Sequence, residues 1–326
     1  MKAISAYLML VLILFFFACR RKAAKTKELL PVQVQNDTLH YQTYGNGNHI
    51  VLNSIIQDSI KTRLIYDTGA GANLVLDSAF TVKQNWFKPI GAALQDTLKD
   101  MGFGPYADQR NLLSARKIDM QLGKIRDSLP HTEVANLRKI IKNEADGIIG
   151  NDFMSRYVVE INYINKFLVL HRPEDFRDGG KYDTIPVKYG GKYGKYISMD
   201  VTYYLTNGKH FSQTVLLDLG VGKNYLIIAN NYLINKFDLQ NQIQHPEIRE
   251  KLVTIFRTGS RTITGNIKSV TIGKSITIDT PKIGLLVNDD PKKRNTNGYM
   301  LVGNYIFKRF GKIFIDYQQN KIYVPR

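Results

Sequence analysis

The strongest constraint on the fold is that the chain is written twice. The segment Asp67-Thr68-Gly69-Ala70-Gly71-Ala72-Asn73 returns 151 positions later as Asp218-Leu219-Gly220-Val221-Gly222-Lys223-Asn224, both reading D-x-G-x-G-x-N. Three apolar or aromatic residues precede each copy, Leu64-Ile65-Tyr66 and Val215-Leu216-Leu217, and apolar runs follow at 74–76 and 225–228. Other anchors repeat in the same order at offsets between 150 and 155: Leu30-Pro31-Val32 with Ile185-Pro186-Val187, Leu122-Gly123-Lys124 with Ile272-Gly273-Lys274, Ile148-Ile149-Gly150-Asn151 with Leu301-Val302-Gly303-Asn304, and 161–170 with 315–324. That period is too long for a stacked-repeat solenoid. The chain therefore divides into two related lobes, 30–177 and 178–326, joined near the polar, glycine-containing stretch 172–183.

Each lobe reads as β-rich. Val, Ile, Thr, Tyr and Phe fill runs of four to eight residues, such as KIFID and KIYV, the composition that suits a pleated, half-buried surface. Turn signals interrupt them at 44–48, 190–195, 207–209 and 317–321. Helical periodicity is scarce, with room for a short helix in 131–144 and another in 229–251. The expected class is all-β.

With 45 Lys+Arg against 28 Asp+Glu the net charge is +17. The basic residues are scattered, with short runs only at 20–22 and 292–294. No basic helix, zinc-finger spacing or aromatic RNA-reading motif accompanies them, so the charge reads as a basic surface and not as a nucleic-acid site. A single cysteine excludes an intramolecular disulfide framework and a cysteine-based zinc cluster. Residues 7–18 form an uncharged apolar run after Lys2, the length of a signal-peptide core and too short to span a bilayer. Cys19 follows directly, and the string FFAC resembles a bacterial lipobox, with Phe16 where Leu is commonest. The expectation is a lipoprotein signal peptide over 1–18, a lipidated Cys19 and a polar tether over 19–29. That would hold the protein at the bacterial cell envelope, on its periplasmic or cell-surface side.

A lone D-x-G is ordinarily a turn, because Asp bonds its own backbone and Gly supplies unusual φ. Two copies at strand ends carry more weight, since each is followed 83 or 85 residues later by an apolar-apolar-Gly ending at Gly150 or Gly303. On these residues, YDTGA (66–70) with GIIG (147–150) and LDLGV (217–221) with MLVG (300–303), the chain resembles the pepsin-like and retropepsin-like aspartic proteases, and in particular two-lobed aspartyl proteases of bacterial envelopes. The resemblance covers roughly residues 30–326. It implies a two-lobed β-barrel fold with the cleft between lobes, Asp67 and Asp218 as a catalytic dyad, and Thr68, Gly69, Leu219, Gly220, Gly150 and Gly303 as its support. It implies a polypeptide substrate, a monomer, and no cofactor. In MGFGPYAD (101–108) it makes Phe103 and Tyr106 candidates for a substrate-binding flap.

The chemistry fits the residue types. Two adjacent carboxylates cannot both ionise cheaply, so they share a proton and titrate as a unit. One can then activate water while the other polarises an amide carbonyl. One departure stands out. The family places Thr or Ser after each Asp to brace the turns across the lobe interface, and the second copy has Leu219. This keeps open a second reading, a peptide-binding lipoprotein with weak or no catalysis, and a third, an envelope-binding protein that only reuses the fold. Other motifs fail: the Gly222-Lys223 step lacks the rest of a phosphate loop, the six histidines lack metal-ligand spacing and read as surface or core residues, and no G-x-S-x-G occurs.

Overall fold

A computed structural model describes residues 37–44, 49–81, 88–89, 113–115, 117–130, 132–135, 137, 141, 143–190, 194–221, 226–254, 257–274, 276–288 and 298–326, with side chains left aside at 37, 88–89, 113–115, 249–254 and 257–260. The leader, Cys19, the tether, and Phe103 and Tyr106 lie outside the described residues. The fold is two-lobed and nearly all β.

In the first lobe, strand His49–Ile56 pairs antiparallel with Ile60–Tyr66, in a register running from Ile50↔Tyr66 to Ile56↔Ile60. The connection is tight, with Gln57 and Asp58 both at positive φ, 49° and 61°. Two consecutive positive-φ residues match the right-handed twist of the flanking strands, and Asp tolerates that conformation. In the second lobe, Ile197–Tyr204 and His210–Asp218 make the corresponding antiparallel pair, from Ser198↔Leu216 to Tyr204↔His210.

Both lobes then close the same crossing. In the first, Gly147–Ile149 runs parallel to Ile60–Tyr66 and antiparallel to Leu74–Asp77, so it lies between the strand entering the D-x-G turn and the strand leaving it. In the second, Met300–Gly303 runs parallel to His210–Asp218 and antiparallel to Leu226–Ile228. These crossing strands are apolar on both faces: Gly147–Ile149 and Met300–Gly303 are buried throughout, the pattern of a strand covered on both sides. A one-turn helix follows each, Asn151–Met154 and Asn304–Lys308.

The lobes share a sheet. Val158–Asn162 pairs antiparallel with Lys312–Asp316 around Glu160↔Phe314, and the order outward is Phe167–His171 then Asp37–Tyr44 on one side, Lys321–Pro325 then Tyr182–Pro186 on the other. The two 161–170 and 315–324 sequence anchors are thus the central strands and their outer neighbours, related by an approximate two-fold. One hydrophobic core runs through both lobes, with Leu52, Leu64, Leu76, Phe153, Leu217, Val302 and Phe307 fully buried. Each such side chain contributes roughly 1.5–3 kcal/mol relative to exposure.

The helix expected in 131–144 is corrected at its start. Thr132–Ala135 is a strand, parallel to Leu74–Asp77 and antiparallel to Leu113–Ala115. Thr132 and Val134 are buried while Glu133 and Ala135 are half-buried, a period of two that decides for strand. In 229–251 two short helices form, Asn231–Lys236 and Leu239–Gln242, before a strand begins at Gln244.

Gly150 is required by close packing. A Cβ there would fall 2.5 Å from the Ala70 carbonyl oxygen and against that of Ala72. Because both obstacles are backbone of the first D-x-G loop, Gly150→Ala is expected to destabilise by about 1–3 kcal/mol, read as a lowered denaturant midpoint with an unchanged slope.

Candidate active site

Asp67 and Asp218 stand at the ends of the strands that the crossing strands support. Ile149 lies beside Tyr66, Gly303 lies beside Asp218, and the Asp67 amide donates to the Ile149 carbonyl at 3.1 Å. The two turns meet face to face. A Cβ on Gly69 would sit 2.6 Å from the Asp218 carboxyl carbon, and one on Gly220 would strike the Asp67 carboxyl carbon. Each carboxyl therefore rests against the glycine of the other turn, so any side chain at either glycine would displace the opposing acid.

The carboxyls lie within hydrogen-bonding reach of each other, and both, on half-buried residues, lose part of their hydration. Burial raises Asp67 above the ordinary carboxylate value, offset by the amides of Gly69 and Gly220, by Asp218 and by the positive charge of His49. Burial lifts Asp218 well above it, the charge of Asp67 adds to the rise, and the Gly220 and Val221 amides oppose it. Asp67 Oδ1 receives the Gly69 N–H at 2.7 Å, whereas Asp218 Oδ1 is buried with no donor. Charge is thus favoured on Asp67 and the shared proton on Asp218.

One half of this brace is formed, the half that Thr68 supplies. The Thr68 hydroxyl donates to the Leu217 carbonyl at 3.0 Å and accepts the Leu219 amide at 2.9 Å. Both bonds go to main chain, so they do not need a hydroxyl at 219. Leu219 itself is fully buried in the core.

A deeper layer was not read from the sequence. Asn151, fully buried, donates from Nδ2 to the carbonyls of Thr68 (2.6 Å) and Lys195 (2.9 Å). Its Oδ1 accepts the Tyr317 hydroxyl at 2.9 Å, and Tyr317 lies 2.9 Å from the Tyr66 hydroxyl, which is left to donate. One directed chain thus runs from Tyr66 through Tyr317 and Asn151 to the main-chain carbonyl of Thr68, the residue after Asp67. Its signal was in the repeat anchors, which contained Asn151 and Tyr317 without assigning them a role. His49 was also missed: buried, it faces the second turn, with Nε2 3.1 Å from the Gly220 carbonyl.

Beside the dyad, Tyr196 packs near Gly71 and feels the charges of Asp67, Glu133 and Asp218; burial raises its hydroxyl. Glu133 is pushed up to about 7, mainly by burial, with Lys195 opposing and Asp152 adding to the rise. Among the described residues no group of three His, Cys, Asp or Glu side chains is arranged to hold a metal ion.

No protein-family model matches the chain, and no curated protein matches it. Among solved structures it is similar to basic 7S globulin from soybean, with a TM-score of 0.48 and 8% identity over 90% of this chain and 95% of that one. It is also similar to a retropepsin-like aspartic protease from Rickettsia conorii, with a TM-score of 0.27 and 16% identity over 44% of this chain and 94% of that one.

Thr68→Val keeps the shape and removes both bonds, leaving a buried amide and a buried carbonyl unsatisfied. It is expected to cost about 1–3 kcal/mol, with Thr68→Ser largely sparing stability in the same denaturation experiment. Glu133 gives a pH signature. Its folded value lies above the ordinary 4.5, so the folded state holds this proton more tightly than the unfolded chain. The linked stability is complete below about 4.5 and lost as pH rises through about 7. Melting temperatures of the wild type and Glu133→Gln across that window should diverge, with the wild type falling more steeply.

Proposed function

We propose that this protein is an aspartic endopeptidase that hydrolyses peptide bonds through a water held between Asp67 and Asp218. The observation that carries this reading is the face-to-face pair of turns, with two partly desolvated carboxyls within hydrogen-bonding reach of each other and each seated against the opposite glycine. A structural role would not need to bury two like acids in contact, an arrangement that costs free energy unless a proton is shared.

In the mechanism, ionised Asp67 takes a proton from the water as its oxygen attacks the amide carbon. Protonated Asp218 gives its proton to the carbonyl oxygen, so the tetrahedral intermediate is a neutral diol. The C–N bond then breaks as the nitrogen receives the proton held on Asp67, and one hydroxyl proton returns to Asp218. Atoms and charge balance without a covalent enzyme intermediate. The active form carries one proton on the pair. Since both acids are raised, the acid limb of the pH profile should lie above the ordinary carboxylate range.

Leu219 supports a second reading, a peptide-binding protein of the same architecture with little or no hydrolysis, because the second turn lacks the hydroxyl that would complete the brace. For location, the apolar run 7–18 followed by Cys19 supports a lipid-anchored envelope protein with a polypeptide partner.

The test is hydrolysis of a peptide library from acid to neutral pH by the wild type, Asp67→Asn and Asp218→Asn. The wild type is expected to cleave along a bell-shaped profile, and each single Asn variant to lose at least about 10³-fold, since the two acids act as a unit. Peptide binding without cleavage at any pH, unchanged in both variants, would favour the second reading.

A further inference from the structure

The second aspartate turn takes a side-chain brace from the other lobe, the Thr68 hydroxyl on Leu217 and Leu219, and a histidine of that same lobe reaches the turn as well. His49 opens the strand His49–Ile56. Since Ile50 lies opposite Tyr66, His49 stands one step further along, opposite Asp67. Its side chain crosses the interface. Nε2 lies 3.1 Å from the carbonyl oxygen of Gly220, and Nδ1 lies 2.7 Å from Glu144 Oε2. Glu144 is itself placed by its amide, which donates to the Ile141 carbonyl at 2.9 Å.

Three features make this contact more than packing. First, His49 is only 8% exposed, so both ring nitrogens depend on protein partners. Both partners are acceptors, and the arrangement is satisfied in full only when both nitrogens carry protons. Second, the Gly220 carbonyl belongs to the planar peptide unit whose N–H is that of Val221, and that N–H closes the second turn by donating to the Asp218 main-chain carbonyl at 3.4 Å. Holding the oxygen at one edge of the peptide plane fixes the hydrogen at the opposite edge. Third, the charge of His49 acts on Asp67 and favours its ionised form. The charged and titratable groups facing the ring are Glu144, from the segment before the first crossing strand, and Asp67. The corresponding position in the second lobe, one step before Ser198↔Leu216 and Ile197, is Tyr196. The device therefore belongs to one half alone.

We propose that His49, held by Glu144, is a positioning residue that braces the second aspartate turn through the Gly220 carbonyl, acting on the same turn as the Thr68 hydroxyl. The inference deepens the endopeptidase reading and rests on it for its effect on rate, but not for its effect on the turn. If both residues hold one turn, the effects of removing them should not add.

The experiment is a double-mutant cycle on the full chain with His49→Ala, Thr68→Val and the pair, together with His49→Gln, which can still donate to the Gly220 carbonyl without charge. Melting temperature is measured for all, and kcat and KM on a cleaved peptide. His49→Ala should lower kcat on the order of 10–100-fold through misplacement of the dyad, with KM within about twofold, because the residue does not touch substrate. In the pair, the losses in kcat and in melting temperature should differ from the sums of the single losses, because both residues hold one turn. His49→Gln should regain part of the rate. Strictly additive effects of positions 49 and 68 on both melting temperature and kcat would overturn the proposal, as would an unchanged kcat in an active His49→Ala enzyme. If the wild type cleaves nothing, the endopeptidase reading fails while the melting-temperature cycle still decides the brace: coupling supports it and additivity sinks it.

Discussion

Two carboxyls in contact and shielded from water can hold one negative charge between them far more cheaply than two. The rest of this molecule is arranged around meeting that condition. Glycine on each turn lets the opposite acid approach. Amides supply the donors that a desolvated carboxylate needs. The crossing strands keep the ends of the two acid-bearing strands from spreading, since each is bonded to both limbs of its turn.

The support beneath is polar and almost fully connected. Thr68 ties the turns through main-chain partners, and Asn151, Tyr317 and Tyr66 pass hydrogen bonds from one lobe to the other. In a low-dielectric interior such a network is strong while complete and costly when broken. It also explains why a leucine at 219 is tolerated. The remaining hydroxyl uses backbone on the far side, and the leucine adds apolar burial where a second hydroxyl would have needed its own partners.

Much of this was legible in the sequence because duplication marks function-bearing positions twice. The paired D-x-G turns and apolar-apolar-Gly segments located both acids and both crossing strands, and the 161–170 and 315–324 anchors became the central strands of the shared sheet. What stayed hidden depends on register and on contacts between distant positions. His49 is a lone histidine in the sequence and gains meaning only because strand pairing sets it opposite Asp67 and the lobe interface brings Gly220, 171 residues away, within reach. Asn151 looked like the tail of a repeat anchor until its bonds to Thr68 and Tyr317 were seen. The stretch 131–144 was misread at its start because its polar-apolar alternation is only four residues long, too short to stand out beside the helix formers that follow.

Having both halves on one chain lets each half change alone. In a dimer of identical subunits, any substitution at one turn is made at both. Here Thr68 faces Leu219, and His49 opposite Asp67 corresponds to Tyr196 opposite Asp218. The two acids are therefore distinguishable before anything enters the cleft, one surrounded by donors and the other left with an unserved oxygen. A symmetric site would accept an extended chain equally well in either direction. This one has a built-in polarity, so under the proposed function the protein would set the N-to-C direction of a chain laid across it.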